Sequence, residues 1–165
     1  MGLTNPGQAF RGFAGASYCI GFLLIAISMF DFAGTVLPAD VSDVSWRYGA
    51  VGLLSGFTLT PLLGGLILSI AAAAAGHRRF GIALATFHLI VAAAVVVLLI
   101  GFTLDTLQVR RDTNEEARTL TEIGSLKAAI KLMATAVAVG WLGWAGIRWV
   151  RPRASDDPSP LVVGR

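Results

Sequence analysis

Residues 81–104, GIALATFHLIVAAAVVVLLIGFTL, form a stretch of 24 residues without Asp, Glu, Lys or Arg. A helix of about 20 apolar residues is long enough to cross the hydrocarbon core of a bilayer. The stretch therefore predicts a membrane-spanning helix. Its central AAAVVVLLI portion is the most apolar part of the chain.

Three further apolar segments flank this one, at about residues 12–30, 49–76 and 128–150. The last is the weakest, because Lys131 and Arg148 lie near its ends, but long basic side chains at helix ends reach the interface. The first begins like a signal peptide. However, its apolar run exceeds the usual length of about 7–15 residues, and no small-x-small cleavage site follows closely. We therefore expect it to be retained as an anchor.

The composition of the 165 residues excludes a soluble globular domain and a disordered chain. Hydrophobic residues make up 55% and charged residues 14%, whereas soluble domains carry about 45–50% and about 25%. A single cysteine, Cys19, excludes an internal disulfide and a cysteine-based metal cluster within one chain. We predict an all-α fold. Residues 1–153 would form one integral membrane domain, a four-helix transmembrane bundle, and residues 154–165 a flexible tail.

The connection between the third and fourth segments, residues 105–127, predicts an extramembrane helical hairpin. Thr113-Asn114-Glu115-Glu116 fits a capping box, which marks a helix start. Leu120, Ile123, Leu126 and Ile130 then recur at helical spacing. The third helix would run to about Asp112, turn, and return as a helix continuous with the fourth segment. Its apolar stripe would rest on the first loop, on a second copy or on a partner protein.

Basic residues next to the membrane ends indicate the orientation. Arg78 and Arg79 occupy a short loop, and Arg151 and Arg153 directly follow the last segment. Cytoplasmic loops carry an excess of Lys and Arg. We therefore predict a multi-pass protein of the bacterial cytoplasmic (inner) membrane with both termini in the cytoplasm. The net charge of +3 is divided between two faces, so we expect the lipid bilayer and not nucleic acid as a partner.

His88 lies seven residues into the third predicted segment, roughly 10 Å below the cytoplasmic boundary. Counting the same depth along the other segments reaches Tyr18, Cys19, Ser69 and Trp141–Trp144. The functional interpretation is a proton-accepting or quinone-contacting imidazole. The structural one is a neutral ring hydrogen-bonded to Ser69, Tyr18 or a backbone carbonyl. The structural interpretation is favoured, because a proton relay normally needs a chain of titratable groups.

The sequence predicts no cofactor and no metal. His77 and His88 are the only histidines, and on one helix they would stand roughly 16 Å apart along the axis. They cannot both ligate one haem iron within a chain. No predicted segment contains Glu, and no Glu-x-x-His or His-x-x-x-His spacing occurs. Nucleophile and phosphate-binding motifs are also absent from the sequence, so no catalytic residue is predicted.

Asp31 and Asp105 end the first and third segments, where they could lie level with Arg47. As a site, two carboxylates and an arginine would suit a cation or a polar headgroup. In a purely structural role, the three side chains would neutralise one another's charges at the membrane interface. This interpretation is favoured, because placing a charge at the end of a membrane helix has a small free-energy cost. Asp31 is the better functional candidate, because its helix continues into FAGTVL. Trp46 and Tyr48, beside Arg47, are predicted to anchor the chain at the interface.

Pro61 lies near the middle of the second segment. Proline removes one backbone hydrogen bond, and the hydroxyls of Ser55, Thr58 or Thr60 could satisfy the freed carbonyl. Broken helices form binding sites in transporters, usually as a pair in two repeated halves. No counterpart occurs in the other half, so a packing kink is predicted. The Gly52-x-x-x-Gly56 spacing favours close helix packing.

Three local strings together resemble the HpsJ-like small membrane proteins of bacteria. They are WRYG at Trp46–Gly49, PLLG at Pro61–Gly64 and LDTLQVRR at Leu104–Arg111. The resemblance covers Trp46 to Arg111, under half of the chain. It implies an accessory role in extracellular polysaccharide production and identifies no catalytic residue.

Three functions from different classes remain open at this point. The first is a non-catalytic accessory or assembly subunit of a membrane complex, bound to another membrane protein or to further copies of itself. The second is a small transporter or channel acting as an oligomer, with Asp31, Pro61 or His88 on its path. The third is a membrane-embedded redox or enzyme subunit that uses His88.

Overall fold

The computed structural model describes residues 6–112 and 114–150. This part of the chain is helical and contains no strand, which confirms the all-α prediction. The five helices are α1 (Pro6–Val36), α2 (Val44–Phe57), α3 (Leu59–Ala74), α4 (Arg78–Asp112) and α5 (Glu115–Val150). The predicted capping residue Thr113 and the predicted tail, residues 154–165, lie outside the described residues.

Three helices are long and apolar enough to cross a membrane. They are Phe13–Val36 of α1, Arg78–Arg111 of α4 and Arg118–Trp149 of α5. They coincide with the first, third and fourth predicted segments. The predicted second segment differs, because residues 49–76 do not form one straight helix. Helices α2 and α3 meet at Thr58 with a bend of 47° and together have the length and composition of one broken span or a re-entrant loop.

Pro61 explains the position of the bend. A proline has no backbone N–H and its ring collides with the carbonyl four residues earlier, which here belongs to Phe57, the last residue of α2. The Ser28 hydroxyl of α1 donates to the Phe57 carbonyl at 3.0 Å. The freed carbonyl is therefore satisfied from another helix. Sequence reasoning expected a hydroxyl from α2 or α3, but Thr58 donates to the Ser55 carbonyl instead.

The helices associate mainly as two pairs, α1 with α3 and α4 with α5. Glycine allows the closest approach in the first pair, since a Cβ added to Gly64 would lie 2.6 Å from the Gly21 carbonyl oxygen. In the second pair, a Cβ added to Gly143 would lie 2.8 Å from the Ala85 carbonyl oxygen. Gly52 and Gly56, predicted to mediate close packing, have no neighbouring helix within 4 Å of an added Cβ.

Helices α4 and α5 contain 35 and 36 residues, so each is about 52–54 Å long. Val95 and Leu132 are buried where the two helices pack together, in a cluster completed by Ala136. Near the connected ends, Arg110 of α4 forms an ion pair with Glu122 of α5 at 2.9 Å. At the other end of α4, Gly76 adopts φ +70°, a left-handed conformation that suits glycine, and reverses the chain after α3.

Replacing Ser28 by Ala should destabilise the fold by about 1–3 kcal/mol, because the Phe57 carbonyl loses its donor. Adding Pro61→Ala should recover most of this loss, since an alanine at that position would supply a backbone N–H one helical turn after Phe57. The measurement is the free energy of unfolding on titration from mild detergent into SDS. Ser17→Ala is the matched control, because Ser17 is on the same helix and donates to the Phe13 carbonyl within that helix. Equal losses in both serine variants, or no recovery in the double variant, would contradict this role of Ser28.

Candidate functional site

The bend between α2 and α3 opens a cavity of about 160 Å³ that brings two of the predicted site residues together. Pro61 lines it from α3 and His88 from α4. The remaining lining residues come from all five helices and are mostly apolar: Ile25, Met29, Leu54, Phe57, Thr58, Leu62, Gly65, Leu84, Phe87, Val91, Val95, Thr135 and Val139. None of the lining residues is Asp, Glu, Lys or Arg.

His88 reaches this position because α3 offers a glycine opposite it. The imidazole is 6% exposed, and a Cβ added to Gly65 would lie 2.6 Å from its Nε2 atom. Its Nδ1 atom is buried and has no well-aligned hydrogen-bond partner in the described chain, although the Leu84 carbonyl precedes it by one turn of α4. The cavity thus combines apolar walls with one imidazole. This arrangement suits a small apolar group better than an ion, and it offers no second titratable group for a proton relay.

The polar cluster predicted around His88 does not form. The Tyr18 hydroxyl instead lies 2.9 Å from Nδ1 of His77, and the two rings stack with centroids 5.8 Å apart. Ser69 donates to the Gly65 carbonyl of its own helix at 2.8 Å. The depths counted along the sequence assumed that all helices start level, but α4 begins at Arg78, three residues before the predicted boundary.

Two other members of that predicted level, Trp141 and Trp144, also lie away from the cavity. Their ring centroids are 5.1 Å apart, and the Arg148 guanidinium lies 4.5 Å above the Trp144 ring. Both tryptophans are exposed on α5. The Tyr18–His77 and Trp144–Arg148 contacts therefore lie outside the lining of the cavity.

Arg47 and Asp105 form a two-pronged ion pair that joins α2 to α4. The guanidinium Nη2 lies 2.9 Å from Oδ1 of Asp105, and Nε donates to Oδ2 at 3.2 Å. The Nη1 group donates to the carbonyls of Val41 and Ser42 in the preceding loop. Because both carboxylate oxygens and three guanidinium nitrogens are engaged, this pair holds the loop and two helices together and leaves little capacity for a ligand.

The loop before α2 is folded so that Arg47 points at Asp105. Asp43 caps α2, its carboxylate accepting from the backbone N–H groups of Ser45 and Trp46 at 3.0 and 3.2 Å. One turn earlier, Asp40 accepts from the hydroxyl and the backbone N–H of Ser42 at 2.6 and 3.2 Å. These hydrogen bonds from Ser42 lower the pKa of Asp40 below its usual value. Two short-range carboxylate caps therefore set the start of the helix that carries Arg47.

Asp31 does not join the pair, although the sequence predicted that it could. Its side chain is exposed near the end of α1 and has no polar side-chain partner among the residues described. The Thr35 hydroxyl donates a hydrogen bond to the backbone carbonyl of Asp31 at 2.8 Å, and not to its carboxylate. Of the two predicted carboxylates, the structure thus brings only Asp105 to Arg47.

Trp46 and Tyr48 both use their polar atoms in hydrogen bonds within the protein. The Trp46 indole donates to the Val36 carbonyl at 3.2 Å, which ties α2 to the end of α1. The Tyr48 hydroxyl lies 2.7 Å from the Ser125 hydroxyl of α5, and its ring stacks on Phe102 of α4 at 5.2 Å. Tyr48 therefore links three helices, a role that no spacing in the sequence indicated.

Within the described ranges, no three His, Cys, Asp or Glu side chains are grouped closely enough to hold a metal ion. No protein-family model, curated protein or solved structure matches the chain. The cavity at the α2–α3 bend and the Arg47–Asp105 pair are therefore interpreted from their geometry alone.

Asp105→Asn should lower the midpoint of thermal unfolding by several degrees, because it leaves Arg47 facing a neutral amide at a nearly buried position. Asp31→Asn should change the midpoint by much less, since Asp31 is exposed and its side chain is not part of the pair. Both variants remove one negative charge from the end of a helix. The comparison is made by circular dichroism in the same detergent. If both variants lower the midpoint equally, the ion pair with Arg47 does not stabilise the protein more than an unpaired carboxylate does.

Gly65→Ala should destabilise the protein by about 1–3 kcal/mol, because its methyl group would overlap the His88 ring. In a His88→Ala background the same substitution should cost less, since the ring is gone. Gly56→Ala is the control, because an added Cβ there meets nothing within 4 Å and alanine favours helix over glycine. The measurement is the same SDS titration. If Gly65→Ala costs as much without the imidazole, the close contact between α3 and His88 is wrong.

Proposed function

We propose that the protein is a non-catalytic accessory or assembly subunit of a membrane complex. In this proposal α1, α4 and α5 each cross the bilayer and α2 with α3 forms one broken span, which gives a four-helix transmembrane bundle. The connected ends of α4 and α5 extend beyond the membrane as a helical hairpin. This arrangement combines a small transmembrane anchor with a helical surface outside the bilayer.

The observation that carries the proposal is the exposed apolar surface at the connected ends of α4 and α5. Each helix is about 20 Å longer than the hydrocarbon core of a bilayer. Leu107 is 53% exposed, Leu120 75% and Ile123 48%, and they lie among the charged residues Arg110 and Glu122. Such charges favour a position in water, where exposed apolar side chains are a sign of an interaction surface.

The roles of the polar side chains support a non-catalytic subunit. Arg47 and Asp105 form an ion pair. The Ser28 hydroxyl donates to the Phe57 carbonyl. The Tyr48 hydroxyl is hydrogen-bonded to the Ser125 hydroxyl. Groups that are fixed by mutual hydrogen bonds stabilise the fold and are not poised to react. His88 and Asp31 are exceptions among the predicted site residues: His88 has no titratable partner in its cavity, and the Asp31 side chain is exposed.

The location follows from charge placement and from the resemblance of residues 46–111. The short basic turn containing Arg78 and Arg79 favours a bacterial cytoplasmic (inner) membrane with both termini in the cytoplasm. The hairpin would then lie on the outer side of that membrane. The likeness to HpsJ-like proteins suggests a complex that takes part in extracellular polysaccharide production.

A tagged protein purified from its native membrane in gentle detergent should carry a second protein in a fixed ratio and should show no visible absorption band. Leu107→Glu should abolish that association, because it places a charge on the exposed apolar face. The new carboxylate can pair with Arg110 or Arg111 on the next helical turn, so the fold should be kept. Gln108→Glu is the matched control, since it adds the same charge one residue away. Mass spectrometry of the co-purified material reads out the result.

Two outcomes of that purification would contradict the proposal. One is a preparation that contains only copies of this chain. The other is a co-purified protein that Leu107→Glu and Gln108→Glu retain equally, which would place the contact elsewhere. A visible chromophore would instead favour a redox subunit that uses His88.

A second candidate, a small transporter acting as an oligomer, is favoured by one specific observation. The break at Thr58 and the buried imidazole of His88 share a cavity between the helices. Broken helices at the middle of a membrane often line a binding site. A preparation that contains only copies of this chain would shift attention to this function.

A further inference from the structure

One face of α5 carries large apolar side chains that the rest of the described chain leaves about half or more exposed. The five residues are Ile123, Leu126, Ile130, Met133 and Val137, and they are 48%, 62%, 59%, 57% and 68% exposed. Their spacing alternates between three and four residues, as at the a and d positions of a coiled coil. We call this set the α5 seam. It extends about 21 Å along the helix axis.

The residue types in the seam match those of a parallel two-stranded pair. The a positions hold Ile123, Ile130 and Val137, all β-branched, and the d positions hold Leu126 and Met133. Branched residues at a with Leu at d favour two parallel strands. Two copies inserted in the same direction and related by a two-fold axis along the membrane normal necessarily place their α5 helices parallel.

Charges beside the seam also fit a second copy. Glu122 occupies the g position and Lys127 the following e position, and in parallel pairs these positions meet across the interface. The Glu122 carboxylate of one copy would therefore face the Lys127 ammonium of the other, twice per dimer. Within the chain, Arg110 and Arg118 both bind Glu122 through Oε1.

Helix α4 provides an internal comparison. Val97, Ile100, Leu104 and Leu107 form a similarly exposed stripe with the same spacing. At the equivalent g and e positions this stripe has Thr103 and Gln108, which are uncharged. Complementary charge therefore distinguishes the α5 seam from the α4 stripe and leaves the α4 stripe for the partner of the proposed complex.

The structure also leaves room for a helix beside the seam. Ile130, Met133 and Val137 form one wall of an apolar groove of about 720 Å³ between α5 and α3. The opposite wall consists of Leu62, Leu63 and Leu66. Leu132 and Ala136, on the side of α5 that faces α4, are buried. A second helix can thus approach the seam without displacing α4.

We propose that the α5 seam is the interface of a parallel homodimer, in which Glu122 of each copy pairs with Lys127 of the other. The dimer deepens the proposed function by naming one partner of the hairpin. It rests on that proposal only for placing the first turns of α5 outside the bilayer. There lipid cannot cover Ile123 and Leu126, so a second copy would bury them.

Cysteine cross-linking of the full chain in its native membrane tests the interface. The exposed native cysteine is first replaced by Cys19→Ser. Ile123→Cys should then form a disulfide-linked dimer under mild oxidation, with a yield several-fold above that of Gly124→Cys. The two positions are adjacent and both exposed, and an added Cβ at Gly124 meets nothing within 4 Å. Only the direction of the side chain relative to the seam differs.

A charge reversal at Lys127 tests the partner of Glu122. In the Ile123→Cys background, Lys127→Glu should weaken dimerisation about fivefold, because two pairs of like charges replace two attractive pairs. Adding Glu122→Gln should restore much of the cross-linking, because it removes the like charges across the interface while its amide oxygen can still accept from Arg110 and Arg118. This rescue cannot arise within one helix, since residues five apart do not face each other.

Three results would overturn the homodimer. They are equal cross-linking at residues 123 and 124, no rescue in the variant that carries both substitutions at 122 and 127, and cross-linking of residue 123 to a different protein. The first two results would leave the purification test of the proposed function untouched. The last would support an accessory subunit while removing the second copy from the seam. Conversely, a clean dimer at residue 123 in a preparation without any other protein would uphold the seam and contradict the accessory role.

Discussion

The amide hydrogen that Pro61 lacks is the constraint on which the centre of the molecule depends. A buried backbone carbonyl needs a donor, and the Phe57 carbonyl finds its donor on α1, at Ser28. That bond fixes α1 against the break, close to where Gly21 and Gly64 let the two backbones touch. Beyond the 47° bend, α3 packs mainly along α1. The cavity beside His88 is the space left between helices that follow this path.

The same rule of satisfied polar groups organises the end of the molecule near Arg47. Asp43 starts α2, the Arg47–Asp105 pair fastens α2 to α4, and Tyr48 fastens it to α5. Helix α2 thus acts as the connection between the α1–α3 pair and the α4–α5 pair. Each of these contacts between helices joins residues distant in sequence, and each removes a polar group from the set that could bind a ligand. Large apolar side chains on α4 and α5 stay exposed beside these contacts.

Features set by composition along one helix were predictable from the sequence, and contacts between helices were not. Apolar runs identified the three long helices, and Pro61 identified the helix that breaks. The donor for Phe57 was misassigned because a hydroxyl on another helix is invisible to local reasoning. Asp31 and Asp105 look alike in sequence, since both end apolar runs, and only packing decides which one meets Arg47. Tyr18 was expected near His88 but contacts His77, because a level counted in residues ignores where each helix begins.

The packing of Val95 beside Leu132 also bears on the shape of the surrounding membrane. This contact places the exposed Lys131 at the same height as Val95 and its neighbours on α4. From there to Leu104, α4 has no charged residue. A bilayer thick enough to cover α4 would place the backbone of Lys131 below the interface, so that its ammonium group would have to extend along α5 to reach water. A bilayer thin enough to free that ammonium would leave the last apolar turns of α4 in water. If α4 and α5 cross a bilayer as proposed, either the Lys131 side chain extends to the interface or the lipids are shorter, or more tilted, on the α5 side than on the α4 side. The molecule would deform the bilayer least where the membrane thickness already changes.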